Sequence, residues 1–211
     1  MNMRPIVIVI FVAAACLLWW PFHTQTSLYN TGSAGSTPAG EILARFVLEQ
    51  TVRPGADQQV RSHEGQQHCF GIRFATYMRT NGGRLDVRWR QGDRHQQWRV
   101  NVAGLADNKF RYFCPDDAFA AEQDFDLRIS GVDGQPGNAA TLWLVDDTRL
   151  GTARLGGDAV ADKALALEVT TRERIGIASM IRVNAGAFAF GWVCTLLVGV
   201  VALRSAFAPA R

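Results

Sequence analysis

The 211-residue chain is poor in several things at once: four cysteines, seven prolines, four histidines and only 19% charged residues. Four cysteines are too few for a disulfide scaffold, and the charge fraction is too low for a disordered polyelectrolyte. There is no Gly-x-Ser-x-Gly nucleophile elbow and no glycine-rich phosphate loop, since Asn81-Gly82-Gly83 reads as a hairpin turn between two strands. The histidines (His23, His63, His68 and His95) are scattered. His63 and His68 lie in polar sequence with no supporting helix and no evident third ligand, so solvated side chains are expected rather than a zinc site. The familiar nucleophilic and metal-dependent constellations are therefore not visible.

What the chain does have is two long apolar runs. Ile6–Phe22 holds 17 uncharged residues, about 26 Å as a helix, preceded by Arg4 and closed by Trp19 and Trp20 near its end. Val183–Leu203 holds 21, about 31 Å, bracketed by Arg182 and Arg204. Both are expected to be transmembrane helices, the first an uncleaved anchor because apolar residues continue beyond the small-residue stretch Ala13–Ala15. Two spans place both termini on one side. Arg4 and the arginines of the tail favour the cytoplasm for them. The expected organisation is a cytoplasmic N-terminus (1–5), helix 1 (6–22), a flexible Ser/Thr/Gly-rich linker (23–40), an external domain (41–171), a juxtamembrane segment (172–182), helix 2 (183–203) and a cytoplasmic tail (204–211). In helix 2, Ala185 with Ala189 and Ala187 with Gly191 form small-x-x-x-small pairs suited to close helix packing.

The net charge of +3 and mean hydropathy of −0.00 are averages over these unlike parts. Residues 23–176 hold 18 of the 22 basic and all 19 acidic residues, a net of −1. The excess charge is four membrane-flanking arginines, so nucleic acid is not an expected partner and the lipid bilayer is.

Between the runs the texture is period two. Leu85, Val87 and Trp89 alternate with Arg84, Asp86, Arg88 and Arg90; Trp98, Val100 and Val102 with Arg99 and Asn101; Phe125, Leu127 and Ile129 with Asp126 and Arg128. Further strands are expected in 45–52, 68–78, 109–114, 140–146 and 164–170, with a short helix at 116–123. About eight antiparallel strands in some 130 residues predict a mainly β domain, a jelly-roll β-sandwich. Turn signals fall at Gly92-Asp93, Asp133-Gly134 and Gly156-Gly157.

Cys69 and Cys114 are the only cysteines between the runs. Outside the cytoplasm a disulfide is expected; the alternative is two buried thiols. Trp89 and Trp98 keep the phase of the core. Trp143 is out of phase with Leu142 and Leu144, so Trp143, Tyr77, Asp146 and Asp147 are the candidates for contact with a glycan. The carboxylate pairs Asp116-Asp117 and Asp146-Asp147 read as solvated turns. Structural calcium is the one cofactor such loops admit, and no EF-hand spacing is present.

Several phrases carry a resemblance. Cys69–Tyr77 leads into Arg79–Val87, followed by Ala106-Asp107-Asn108, Phe110–Pro115 and Phe125–Ser130. Over residues 41–147 the series resembles a jelly-roll domain of carbohydrate-binding-module type found in membrane proteins of bacterial envelope polysaccharide pathways; Cys69 and Cys114 depart from that pattern. The resemblance implies an inner-membrane protein with a periplasmic accessory domain, and carries over no catalytic residues. The expected function is non-catalytic: binding a glycan, or docking on a membrane enzyme of polysaccharide assembly such as a glycosyltransferase. The alternatives are an envelope enzyme with a site built from His68, Asp116 and Asp117, and a purely structural subunit of a membrane complex.

Overall fold

A computed structural model describes residues 22–32, 36–55, 66–117 and 119–175. The apolar runs lie outside the described residues apart from Phe22, as do Ala185, Ala187, Ala189 and Gly191. Among the described residues no helix is long and apolar enough to cross a membrane. Gln25–Glu173 forms one compact unit.

Thirteen strands are described: β1 (Phe22–Asn30), β2 (Thr37–Glu41), β3 (Val47–Val52), β4 (Gln67–Ala75), β5 (Arg84–Gln91), β6 (Arg94–Asn101), β7 (Lys109–Phe113), β8 (Phe125–Gly131), β9 (Thr141–Val145), β10 (Arg154–Leu155), β11 (Asp158–Ala159), β12 (Ala164–Leu165) and β13 (Leu167–Ile175). They make two sheets. Sheet A runs β1-β13-β4-β9-β12, with β7 also on β4 and β2 on β9; sheet B runs β11-β10-β3-β8-β5-β6. The inward residues of both sheets form one core, with Phe70, Ile72 and Phe74 from β4 facing Leu48, Leu85, Val87, Trp89, Leu127 and Ile129 from sheet B. The protein is a mainly β sandwich, as the alternation predicts.

An aromatic knot closes one part of the core. Phe70 stacks on Phe113 at 5.5 Å between ring centroids and meets Trp98 edge-on at 5.7 Å, while Phe119 packs edge-on against Trp89 and Phe125. Trp89 is fully buried and Trp98 packs at the core's margin. Cys69 and Cys114 are bonded, tying β4 to the residue after β7 across 45 positions. In the loop-entropy model a bridge of that span stabilises by about 4 kcal/mol.

Four expectations are corrected. Residues 23–40, read as a flexible linker, carry most of β1 and β2: Thr31 bonds Leu167 in both directions, and β2 pairs with β9. Their polar side chains hide edge strands whose stability comes from the ladder and from buried Tyr29. Residues 172–175, read as juxtamembrane, continue β13. The described part of 116–123 is bend, turn and irregular chain rather than helix, and it carries Phe119 and Ala121 into the core. Asn81-Gly82-Gly83 is not a hairpin turn, since β4 and β5 belong to different sheets. Asn81 is buried there, donating to the Thr76 carbonyl at 3.1 Å and accepting from Arg79 at 2.9 Å. Gly156-Gly157 does close a hairpin, β10–β11, with positive φ at both residues.

Candidate functional site

The wet face of sheet B carries the densest chemistry. Because side chains alternate along a strand, cross-strand partners fall into rows. One row reads Arg154, Glu49, Arg128, Arg88 and Gln97 across β10, β3, β8, β5 and β6. The next reads Thr51, Asp126, Arg90 and His95. A third aligns Ser130, Asp86 and Arg99. The first two rows, short of their β6 members Gln97 and His95, line an open groove of about 430 Å³, with Glu49, Gln50, Thr51, Arg88, Arg90 and Asp126 among its walls.

Within the rows most charges are paired. Arg128 donates to Glu49 at 2.6 Å, Arg90 to Asp126 at 2.7 Å and Arg99 to Asp86 through two bonds of 2.8 and 3.0 Å. Burial pushes the Asp126 carboxyl up, but the hydroxyl of Thr51 at 2.7 Å and the Arg90 guanidinium outweigh it and hold it below the usual carboxylate range. The Arg99 hydrogen bonds lower Asp86 in the same way. Arg88 is treated differently: its guanidinium donates to the neutral Gln97 Oε1 at 2.9 and 3.3 Å. Arg154 donates to the backbone carbonyl of Gly157 at 2.7 and 3.0 Å.

The aromatic candidates lie elsewhere. Trp143, on β9 in sheet A, is half-buried over Val145, Ala164 and Ala166. Its indole donates to Asn108 at 2.8 Å, and the Arg73 guanidinium lies 6.0 Å from the ring centroid. Tyr77 is 48% exposed just beyond β4, and the Arg79 guanidinium stands 5.4 Å from its ring. Tyr77 and Met78 both take left-handed φ of 57°, held by Asp107, which accepts from the backbone N–H groups of Thr76 and Tyr77 at 2.6 and 2.9 Å. Asp107 continues to Asn108 at 2.9 Å, so one polar chain links Tyr77 to Trp143. Asp146 and Asp147 follow the far end of β9, paired with Lys163 and Arg149 respectively. The four candidates thus spread along β9, with Tyr77 beyond its start, Trp143 at its middle and Asp146 and Asp147 after its end, and both rings already meet a guanidinium.

His68, Asp116 and Asp117 do share a hollow, of about 560 Å³, with Arg94 and Glu122. His68, expected as a solvated side chain at the start of a strand, lies on β4 and is only 4% exposed. Its Nδ1 meets the Phe119 carbonyl at 2.6 Å, so Nδ1 carries the proton; among the described residues the buried Nε2 has no partner. Asp116 is engaged by Gln96, accepting from its amide nitrogen at 2.8 Å and donating its own backbone N–H to its Oε1 at 2.8 Å. Among the described residues neither carboxylate hydrogen-bonds the imidazole, and no group of three His, Cys, Asp or Glu side chains is placed to hold a metal.

Sequence reasoning passed over the groove arginines, although their signal was present: Arg88, Arg90 and Arg128 occupy the wet phase of the strand patterns. What it lacked was the order of the strands. No protein-family model matches the chain, and no curated protein or solved structure is significantly similar to it.

Proposed function

We propose that this chain is a membrane-anchored accessory protein whose external domain is a non-catalytic jelly roll that binds a glycan in the groove on sheet B. The jelly-roll reading is supported by the interleaving of eight strands. Taken in chain order, β1, β3, β4, β5, β6, β7, β8 and β13 fall in sheets A, B, A, B, B, A, B and A. Their neighbours run β1-β13-β4-β7 and β3-β8-β5-β6, the pattern made by two nested Greek keys. β2 and β9 to β12 then elaborate the edges.

The observation that carries the binding reading is the open groove across β3, β8 and β5, floored by polar side chains on a rigid sheet. Such a surface offers hydrogen bonds to hydroxyls without the aligned acid, base or nucleophile that hydrolysis needs. The absence of a bond between His68 and Asp116 or Asp117 favours binding over the enzyme alternative.

Anchoring rests on the two apolar runs and their flanking arginines. The end of β1 meets the start of β13 at Thr31–Leu167, so the two strands run antiparallel, and Gln25 bonds Thr170 farther along. Gln25 near the start of β1 and Thr170 within β13 are thus brought together by this antiparallel pairing. The bacterial inner membrane, with the domain in the periplasm and both termini cytoplasmic, fits the flanking arginines and the disulfide.

The full chain in detergent micelles, titrated calorimetrically with fractionated envelope glycans, tests the reading. Binding is expected with at least one fraction; silence with all of them defeats it. Docking on a glycosyltransferase or a related membrane enzyme is the second form of the proposal, favoured by the Ala185/Ala189 and Ala187/Gly191 pairs. Leucine at Ala187 and Gly191 should release a partner that co-purifies in mild detergent. Unchanged co-purification would refute that form.

A further inference from the structure

The rows on sheet B contain a juxtaposition that folding alone does not favour. Arg88 on β5 stands directly opposite Arg128 on β8. Directly opposed side chains have their Cβ atoms about 4.5–5.5 Å apart, and like charges so placed are destabilising. The neighbouring carboxylates are committed to other arginines: Asp86, two residues along β5, feels the Arg88 charge but is hydrogen-bonded by Arg99. Glu49 serves Arg128 and Asp126 serves Arg90, each at hydrogen-bonding distance. Arg88 has the neutral Gln97, and Arg154, at the other end of the row, has a backbone carbonyl. Among the described residues no carboxylate lies within 4 Å of either guanidinium. The groove thus has four arginines against two carboxylates, and the two without a carboxylate, Arg154 and Arg88, flank the Glu49–Arg128 pair in the row.

Taking the glycan reading of this groove as its premise, we infer that the ligand is an acidic glycan, with an oxyanion held between Arg88 and Arg128 and a second negative group reaching Arg154. Guanidinium forks match planar carboxylates and phosphates with paired, charge-assisted hydrogen bonds. An anion between Arg88 and Arg128 removes their mutual repulsion. Arg154 lies three strand spacings from Arg88, roughly 14 Å along the row, so a chain bearing several charges fits better than a single ion. The walls also lack what other occupants need. Among the described residues no aromatic side chain lines the groove, which removes the platform on which a neutral sugar ring or a nucleobase stacks. Glu49 and Asp126 leave acceptors for hydroxyls between the cationic ends.

The test uses the full chain in detergent micelles and three probes: oligogalacturonate, its fully methyl-esterified form with the same rings and no charge, and polyglutamate. Inorganic phosphate is a fourth, as the free oxyanion. Oligogalacturonate is expected to bind, weakening with added salt, and the methyl ester to bind at least about 10-fold less tightly. Arg88→Gln should weaken oligogalacturonate binding by about 10-fold or more, while Trp143→Ala, on the other sheet, changes it less than about twofold. Thermal melts guard against misfolding, and Arg88→Gln should melt no lower than the parent because it relieves a like-charge pair. Equal binding of the methyl ester, or loss of binding with Trp143→Ala but not Arg88→Gln, overturns this inference and leaves a glycan-binding protein. Tighter binding of polyglutamate, or binding of phosphate alone, overturns it in favour of an acidic peptide or a free anion. Binding of no saccharide by a chain that melts normally overturns the glycan reading as well.

Discussion

The hydroxyl of Tyr112 on β7 donates to Glu168 on β13 at 2.6 Å, across the intervening strand β4. It passes over Gly71, where a Cβ atom would stand 2.8 Å from the Tyr112 ring. The glycine is the opening through which two strands that do not pair are joined. Tyr112→Phe should cost about 1–3 kcal/mol, as the loss of a hydrogen bond to a charged group. Gly71→Ala should cost about 1–3 kcal/mol by crowding the ring. Urea unfolding of both single variants and the double variant checks this. The two effects should be strongly non-additive, because one contact carries both.

The same contact sets an alkaline limit. Burial, then the hydrogen bond and charge of Glu168, push the Tyr112 phenol up to about 12. A group whose folded-state pKa is raised stabilises fully below its unfolded value, near 10, and loses that contribution as pH rises through the folded value. Stability should therefore decline between pH about 10 and about 12, with phenolate absorbance rising over the same interval. Tyr112→Phe should lessen that decline, the remainder coming from buried Tyr29, whose phenol is also raised by burial.

On the acid side the sign reverses. Asp86, bonded by Arg99, and Asp126, held by Thr51 and Arg90 against its burial, both lie below the ordinary carboxylate range. Their contribution is present above the unfolded value, near 3.9, and is lost as pH falls through the lowered folded values. Arg99→Gln should return Asp86 toward the ordinary range, a movement that carboxyl-resolved NMR titration reads directly. An Asp86 titration identical in both proteins would refute the assignment.

Reducing Cys69–Cys114, or replacing both with alanine, should lower stability by up to about 4 kcal/mol. Denaturant midpoints with and without reductant measure it. A midpoint that ignores reductant would show the bridge to be dispensable.

Phe70→Ala should cost about 3–5 kcal/mol, since the ring is fully buried against Phe113, Trp98, Phe119 and Phe125. A cost below about 1 kcal/mol in chemical denaturation would mean the aromatic knot repacks freely.

The sandwich was legible wherever one face is dry. In 84–91 the alternation of Leu85, Val87 and Trp89 with charged residues names both the strand and its buried side, and the structure agrees. It failed where burial is uneven. β1 has an exposed run at Gln25–Ser27 before buried Tyr29, so its composition resembles that of a linker. His68 looked solvated because the residues before it are polar; its burial comes from Phe119, 51 positions away. Asn81-Gly82-Gly83 signals a turn, but no local signal says whether the next strand stays in the same sheet. The groove was half legible for the same reason. Alternation places Arg88 and Arg128 on wet faces, whereas their juxtaposition depends on β8 inserting between β3 and β5.

That insertion also bears on biosynthesis. β3 and β5 are held in one sheet only through β8, which lies between them, and Glu49 meets Arg128 across 79 positions. A ribosome that has released only the chain up to β7 has made Glu49, Thr51, Arg88 and Arg90 but nothing to hold them in one surface. The closing step is a long-range pairing, the slow kind in β topologies. Any ligand of the face must therefore ignore the nascent chain and recognise only a molecule whose second sheet has already been sewn shut.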